Sequence, residues 1–218
     1  PPRATFEGAR AAECQRHGAD SFSVNISPDA VPINPSPWYA FDIVAAEDAN
    51  VQVRINYTHS RHRYVPKSSF ENGLWESLAD AVSETAEGAV ATFSVPVKTG
   101  TTRIAGQEVI TLAERINWID AYAERAGFDV EDIGQSGDGR PIYAALRLPE
   151  GGGGPLIIIL GGQHPPEVPG TLGLRAFLDA LLSDDSEPLQ DYGIIIFPEL
   201  NPDGLFAGNW RLNANGID

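Results

Sequence analysis

The sequence is poor in cysteine, basic residues and methionine, and each shortage narrows the class of protein. Cys14 is the single cysteine among 218 residues, which excludes an internal disulfide framework and fits a reducing compartment, so we expect a cytoplasmic protein. Lys and Arg number 15 against 30 Asp and Glu, giving a formal net charge of −15 at pH 7. Nucleic-acid binding requires clustered basic residues and is not expected here. Because methionine is absent and the first residue is Pro1, we expect the natural chain to start before it.

Long hydrophobic runs are also absent. The run Leu156–Leu160 has five apolar residues, whereas a membrane-spanning helix needs about 20, so no membrane partner is expected. A hydrophobic content of 42% with 21% charged residues is typical of a globular protein in water. A chain of this length can hold one large domain or two smaller ones with their own cores.

The first half of the sequence is dominated by short segments typical of strands. Pro, Asn and Gly separate these segments, and several of them alternate apolar with polar residues, which is typical of an antiparallel β-sandwich. We therefore predict a β-sandwich domain over residues 1–100. The segments are Ser21–Ile26, Trp38–Val44, Val51–His59 and Ala89–Val97.

The pattern changes after residue 100, and we predict an α/β domain with a mixed, largely buried sheet over residues 101–218. Helical spacing of apolar residues predicts helices over Glu108–Ala126 and Gly170–Leu182. The Ser-Gly-Asp-Gly turn at 136–139 predicts a hairpin within Glu131–Leu148. The apolar runs Leu156–Leu160 and Ile194–Phe197 indicate fully buried strands.

Two potential metal ligands follow the first of these buried strands. His164 and Glu167 lie three residues apart, just after Gly161-Gly162, and sites in α/β sheets form beyond the carboxyl ends of strands. An imidazole and a carboxylate in one short loop can be two ligands of a zinc ion. The pattern H-x-x-E alone is weak, because His164 could bond to backbone while Glu167 caps the next helix.

A later segment makes the pattern more specific. Asn201-Pro202-Asp203-Gly204 follows the strand at Ile194–Phe197, and Trp210-Arg211 comes shortly afterwards. This ordered set resembles the zinc carboxypeptidases of the carboxypeptidase A type. In that family the next motif is Gly-x-Asp-x-Asn-Arg, and this chain reaches Gly216-Ile217-Asp218.

The first half resembles one subgroup of that family. Arg63-Tyr64-Val65-Pro66, followed by Gly73 and Trp75, is similar to an element in the β-sandwich that precedes the catalytic domain of cytosolic carboxypeptidases. The subgroup often has Gly after the His-Pro of its metal loop, and here Pro166 stands there. That departure leaves the substrate preference open.

The resemblance implies a function and a set of site residues. It implies hydrolysis of C-terminal residues of peptides or proteins, with one zinc ion per chain bound by His164 and Glu167. It also implies that Arg211 stabilises the charge that develops on the substrate carbonyl oxygen. The third zinc ligand, the general base and the carboxylate-binding pair are expected beyond Asp218.

Several alternatives remain open from the sequence. The chain could be a non-catalytic module that binds peptides or partner proteins. It could also belong to a related zinc amidohydrolase that acts on N-acyl amino acids or murein-type peptides. Arg211 could pair structurally with Asp203 or Asp218, Asn201 and Asp203 could simply form a turn, and His59 and His62 are expected to be surface histidines.

Overall fold

The computed structural model describes residues 2–3, 5–30, 35–79, 82–84, 88–149, 151, 153–183 and 191–218. Ten strands occupy the first part of these residues. They are β1 (Pro2–Arg3), β2 (Glu13–Arg16), β3 (Ser21–Ile26), β4 (Ala40–Ala45), β5 (Ala49–Tyr57), β6 (Lys67–Phe70), β7 (Trp75–Ser77), β8 (Val82–Glu84), β9 (Val90–Val97) and β10 (Gly100–Ala105).

The ten strands form two five-stranded sheets, with the orders β1-β4-β10-β6-β7 and β2-β3-β5-β9-β8. All pairs are antiparallel except β3 with β5, which pair in parallel. The parallel pair follows from the connection, because the chain leaves β3, crosses to the other sheet as β4 and returns as β5. The sandwich fold predicted from the sequence is confirmed, with this one pair departing from the antiparallel pattern.

The core of the sandwich follows from the alternation in its strands. In β5 the side chains of Val51, Val53, Ile55 and Tyr57 are buried while the residues between them lie outward, as the two-residue period of a strand requires. They pack against large side chains of the facing sheet, among them Tyr39, Phe41, Ile43 and Ile104. This packing forms one apolar core between the two sheets.

The second part of the chain contains a four-stranded sheet with helices. Its elements are α1 (Leu112–Ala126), β11 (Asp129–Gln135), β12 (Pro141–Arg147), β13 (Leu156–Leu160), α2 (Val168–Ser183), β14 (Gly193–Phe197) and α3 (Pro202–Ala207). The sheet order is β11-β12-β14-β13, with β13 and β14 parallel and the other pairs antiparallel. Buried residues of α1 and α2, including Ile119, Tyr122 and Leu178, pack on Ala145, Ile194 and Ile196 of the sheet.

The helix α1 starts later than the sequence predicts. Val109 is buried and fits the helical spacing, but it precedes the first turn. Thr111 is the N-cap, with a capping box in which its side chain accepts from the Glu114 backbone and Glu114 accepts from the Thr111 backbone. This reciprocal pair satisfies free N–H groups of the first turn, so the helix begins at Leu112. Gly127, which directly follows the predicted last residue Ala126, ends the helix in the left-handed conformation.

The strand β13 is less buried than predicted. Leu156, Ile158 and Leu160 are 50%, 54% and 52% exposed, whereas Ile159 on the opposite face packs on the helical core. Because β13 lies at the edge of the described sheet, one of its faces is open, and the prediction that it is buried on both faces is wrong for these residues.

The strands β11 and β12 form a hairpin around the turn at 136–139. The predicted hairpin is confirmed, with β11 and β12 antiparallel and a register shift between Asp132 and Gly134. The apolar side chains of α2, whose spacing predicts one inward face, are divided, since Leu174 and Leu178 are buried while Leu172 and Phe177 are exposed. The division of the chain into folding domains at residue 100 stays a prediction, and the strand that starts there, β10, pairs with β4 and β6.

None of the helices in the described part of the chain has the length and apolar character that crossing a bilayer requires.

Candidate active site

The two parallel strands of the sheet bring two loops together. The loop after β13 carries the predicted ligands His164 and Glu167 and is called the metal loop, and the loop after β14 runs from Pro198 into α3. Gly161 donates a backbone hydrogen bond to Phe197 at 2.8 Å, and Leu200 donates one to Gly161 at 3.1 Å. The site therefore lies at the carboxyl ends of neighbouring strands, where α/β sheets place their ligands.

His164 and Glu167 converge on one point of this edge. The Nδ1 atom of His164 lies 3.3 Å from Oε2 of Glu167, and a turn holds the loop, with the Glu167 N–H donating to the His164 carbonyl at 3.0 Å. Two donors of one tetrahedral zinc, each about 2.1 Å from the metal, lie about 3.4 Å apart. The spacing and the N/O donor set thus fit two zinc ligands, although among the described residues no group of three or more His, Cys, Asp or Glu side chains is arranged to hold a metal.

Arg211 reaches the same point from the segment after α3. Its Nη1 atom lies 4.0 Å from Oε1 of Glu167, and its Nε donates to Oδ1 of Asp218 at 2.7 Å. Asp218 also lies 3.7 Å from Nε2 of His164. All three site residues predicted from the sequence, His164, Glu167 and Arg211, therefore lie together, and the structural pairing of Arg211 is with Asp218 rather than Asp203.

Asp218 is a further residue of the candidate site. The sequence predicts it only as a possible partner of Arg211. A carboxylate on the far nitrogen of a metal-binding histidine fixes the orientation of the ring and strengthens the ligand. Here Nδ1 of His164 lies 3.3 Å from Glu167, whereas Nε2 lies 3.7 Å from Asp218, which is an ion-pair distance and not a hydrogen bond. The signal available in the sequence was Asp218 itself, at the third position of the Gly-Ile-Asp end.

Asn201 connects the two loops and the Arg211 segment. Its side-chain oxygen accepts from the Gly204 N–H at 2.9 Å and so caps α3. Its Nδ2 lies 3.4 Å from the Gln163 carbonyl, 3.2 Å from that of Arg211 and 3.3 Å from that of Leu212. The predicted turn former therefore also ties the metal loop to the segment that carries Arg211.

Asp203 points away from the metal loop and holds the hairpin. It accepts from Ser136 Oγ at 2.7 Å, from the Asp138 N–H at 3.1 Å and from Arg140 Nη1 at 2.6 Å. Burial opposes ionisation of Asp203, but hydrogen bonds from Ser136, Arg140 and the Asp138 backbone outweigh it and hold its pKa below the usual range. Its role is to fasten the turn between β11 and β12 onto α3.

A buried ion pair lies directly beneath the metal loop. Arg115 of α1 donates from Nη1 to Oε2 of Glu199 at 2.5 Å and from Nη2 to the Pro165 carbonyl at 3.0 Å. Gly162 has a φ of +65°, and a Cβ there would overlap the Glu199 carboxylate. The sequence reasoning missed both Arg115 and Glu199, and a charged residue on the inward face of a predicted helix was the available signal for Arg115.

An open cleft is formed beside these groups, with a volume of about 400 Å³. Its walls consist mainly of polar side chains, which are those of Gln163, His164, Asn201, Arg211, Asn213 and Asp218. A second cleft of about 340 Å³ lies on the other side of Glu167, where Arg63 and Tyr64 of the sandwich face Trp210.

The histidines of the sandwich lie outside both clefts. His59 is exposed, and the expectation for His62 is wrong, because it is buried with Nδ1 2.9 Å from the Tyr57 hydroxyl.

The architecture of this chain, a β-sandwich followed by a mixed sheet with helices, is similar to that of solved metallo-carboxypeptidases. A metallo-carboxypeptidase from Burkholderia cenocepacia has this fold with a TM-score of 0.82 and 18% sequence identity, covering 100% of this chain and 60% of that one. The model of the zinc carboxypeptidase family matches residues 116–217 of this chain.

Curated relatives agree with this placement. The chain is 40% identical over 65 residues to cytosolic carboxypeptidase 2 of Xenopus tropicalis, a match that covers 28% of this chain and 7% of the relative. It is 33% identical over 96 residues to cytosolic carboxypeptidase 6 of Homo sapiens, covering 40% of this chain and 19% of the relative. The chain thus spans less than a fifth of these curated relatives.

Proposed function

We propose that the protein is a zinc-dependent metallocarboxypeptidase that hydrolyses C-terminal residues of peptides or proteins in the cytoplasm. The observation that carries this proposal is the convergence of His164, Glu167 and Arg211 at the carboxyl ends of β13 and β14. An anionic and an imidazole donor beside a guanidinium combine a metal site with a stabiliser of developing negative charge. The similarity to cytosolic carboxypeptidases 2 and 6 supports the same reaction.

In this proposal His164 and Glu167 hold one zinc ion, and the third protein ligand is expected from residues beyond Asp218. Bound zinc supplies a Lewis acid for the scissile carbonyl and lowers the pKa of water. The Asp218 carboxylate, 3.7 Å from Nε2 of His164, would favour the orientation of the ring by its charge. The Arg211 guanidinium, 37% exposed in the cleft, donates hydrogen bonds to the substrate carbonyl oxygen as negative charge develops on it.

The first test of the proposal is metal binding by the purified, dialysed complete protein. We expect close to one zinc per chain in elemental analysis. The variant His164→Ala should lose more than about 100-fold in zinc affinity, since loss of a ligand exceeds the 10–100-fold cost of losing an outer contact. Release of C-terminal residues from a peptide library should fall in parallel.

The variant His59→Ala is the matched control, because His59 is an exposed histidine of the sandwich. It should keep both the zinc and the peptidase activity. A wild-type protein that binds zinc but releases no C-terminal residue would reject the carboxypeptidase in favour of the amidohydrolase or the binding module. Full zinc in His164→Ala would reject the ligand assignment.

A further inference from the structure

A single carboxylate of the sandwich holds the backbone of the segment that carries Arg211. Oδ2 of Asp29 accepts from the Trp210 N–H at 2.6 Å and from the Arg211 N–H at 3.2 Å. This segment lies outside every helix and strand, so no ladder of backbone bonds fixes these two N–H groups. Asp29 supplies the acceptor that they would otherwise lack.

The Asp29 carboxylate is itself held in place. Its side chain is 1% exposed, and its Oδ1 lies 3.1 Å from Nη2 of Arg10. This contact is an ion pair without a hydrogen bond to Oδ1, and Arg10 donates hydrogen bonds to the Ser27 carbonyl at 3.2 Å and to Oδ1 of Asn209 at 3.1 Å. The acceptor therefore has a fixed position relative to the Arg211 segment, because Arg10 binds both Ser27, close to Asp29 in the chain, and Asn209, close to Arg211.

The sandwich also packs closely against the end of α3 and against Trp210. Gly8 donates to the Phe206 carbonyl at 3.1 Å, and a Cβ at Gly208 would lie 2.5 Å from the Ala9 carbonyl oxygen. The indole of Trp210 is buried, with the guanidinium of Arg63 4.8 Å from its ring centre. The sandwich thus fixes the Arg211 segment through its backbone and through the neighbouring indole.

We propose that Asp29 is a positioning residue for Arg211, which makes the sandwich a working part of the active site. The proposal rests on the function proposed above. The Arg211 side chain is anchored at its tip by Asp218 alone among the described hydrogen bonds, so the position of its backbone decides where the guanidinium lies. A displacement of about 1 Å at a catalytic group can cost about 100-fold in rate.

Three substitutions of Asp29 separate positioning from a general role in stability. Asp29→Asn keeps an oxygen at the acceptor position and removes the charge that pairs with Arg10. Asp29→Glu keeps the charge and moves the acceptor by one methylene, and Asp29→Ala removes both. If Asp29 positions Arg211, kcat should be highest in wild type, lower in Asp29→Asn, lower again in Asp29→Glu and lowest in Asp29→Ala. If Asp29 acts only through its ion pair with Arg10, Asp29→Glu should lose less kcat than Asp29→Asn.

The experiment measures kcat and KM of the zinc-loaded complete protein on a peptide substrate, with zinc content and melting temperature for each variant. We expect Asp29→Glu and Asp29→Ala to lose between about 10- and 100-fold in kcat, with KM within about threefold and zinc unchanged. Asp29→Asn should keep kcat within about threefold despite a lower melting temperature. The comparison of Asn with Glu still decides the matter if Asp29→Ala fails to fold.

The control variant is Asp42→Ala, which breaks a comparable ion pair elsewhere in the sandwich. Asp42 pairs with Arg103 at 2.8 Å, with 15% of its side chain exposed. It should lower the melting temperature and leave kcat unchanged. An equal fall of kcat in Asp42→Ala, or wild-type kcat in Asp29→Glu, would overturn the proposal.

Hydrogen exchange gives a readout that does not depend on the reaction. The amides of Trp210 and Arg211 should exchange faster in Asp29→Glu and Asp29→Ala than in wild type, and should stay protected in Asp29→Asn. Protection that follows this order in a protein without peptidase activity rejects the proposed function and leaves the backbone anchor intact. Unchanged protection in all three variants overturns the anchor itself.

Discussion

At the scale of single residues, Glu199 is the most unusual ionisable group of the site. It is 2% exposed and accepts from Arg115 Nη1 and from the Asn201 N–H at 2.8 Å. Burial raises the pKa of its carboxyl to about 7, although the Arg115 guanidinium and the Asn201 backbone bond act in the opposite direction. The loss of hydration dominates, as is common for ion pairs in an interior.

This pKa predicts a dependence of stability on pH. The carboxyl titrates near 4.5 when unfolded and near 7 when folded, so the folded state holds the proton over that range. Its contribution to the free energy of unfolding is complete below about pH 4.5 and is lost as pH rises through 7. Urea unfolding from pH 5 to 8 should show wild type losing stability relative to Glu199→Gln as pH rises.

The reference variant Glu199→Gln keeps the shape of the side chain and cannot titrate. Since its neutral amide would leave Arg115 without an anionic partner, the two proteins will differ in stability by a constant amount as well. The informative quantity is the slope of the difference against pH. A flat difference, or one that rises with pH, would contradict the raised pKa of Glu199.

At the scale of elements, the hairpin β11–β12 depends on one side chain of α3. Asp203 accepts hydrogen bonds from Ser136, from the Asp138 N–H and from Arg140. The Arg140 guanidinium also lies 4.0 Å from the centre of the Phe206 ring. We expect Asp203→Ala to lower the free energy of unfolding by roughly 2–3 kcal/mol, because buried charged hydrogen bonds are broken together. Chemical denaturation measures this loss.

Asp138 provides the matched control for that substitution. It lies 3.2 Å from the same Arg140 guanidinium, but its side chain is 59% exposed. An exposed pair of this kind contributes less than about 1 kcal/mol, so Asp138→Ala should be nearly neutral. Similar losses in both variants would show that Asp203 acts only as a surface partner of Arg140.

The elements were predictable from sequence where a local rule decides them. The two-residue alternation in β5, the glycine end of α1 and the turn at 136–139 each depend on neighbouring residues, and each is found. The sequence predicts the start of α1 four residues early, because Val109 continues the helical spacing, whereas the Thr111 capping box decides where the helix begins.

The candidate site was predictable only in part, for the same reason. His164, Glu167 and Arg211 stand in a recognisable motif, and the structure brings them together. Asp29 and Arg115 act from 182 and 50 residues away, on the Arg211 N–H and the Pro165 carbonyl. Such contacts depend on how the sandwich and α1 pack against the sheet, which no local pattern in the sequence reports.

At the scale of the whole molecule, the two parts of the chain share one site. The sandwich contributes Asp29 to the Arg211 segment and Arg63 and Tyr64 to the cleft beside Glu167. The other part contributes the metal loop, and Trp210 packs between them with Ala40 and Ala105 in one apolar cluster. Changes in the sandwich are therefore expected to reach the chemistry through positions and not only through stability.

The open face of β13 governs how the isolated 218 residues should behave in solution. Leu156, Ile158 and Leu160 form a row of half-exposed apolar side chains on an edge strand of the described sheet. An exposed apolar edge pairs readily with another copy, so we expect residues 1–218 alone to aggregate at micromolar concentration. Light scattering during purification measures this.

The substitution Ile158→Lys should suppress that association, because a charge on the open face of an edge strand opposes pairing between copies. The same change one residue further, Ile159→Lys, places the charge against the helical core and should unfold the protein instead. The alternation of β13 thus predicts opposite outcomes for adjacent isoleucines. If wild-type residues 1–218 stay monomeric and melt cooperatively, the exposed row is too small to drive association, and Ile158→Lys will change nothing.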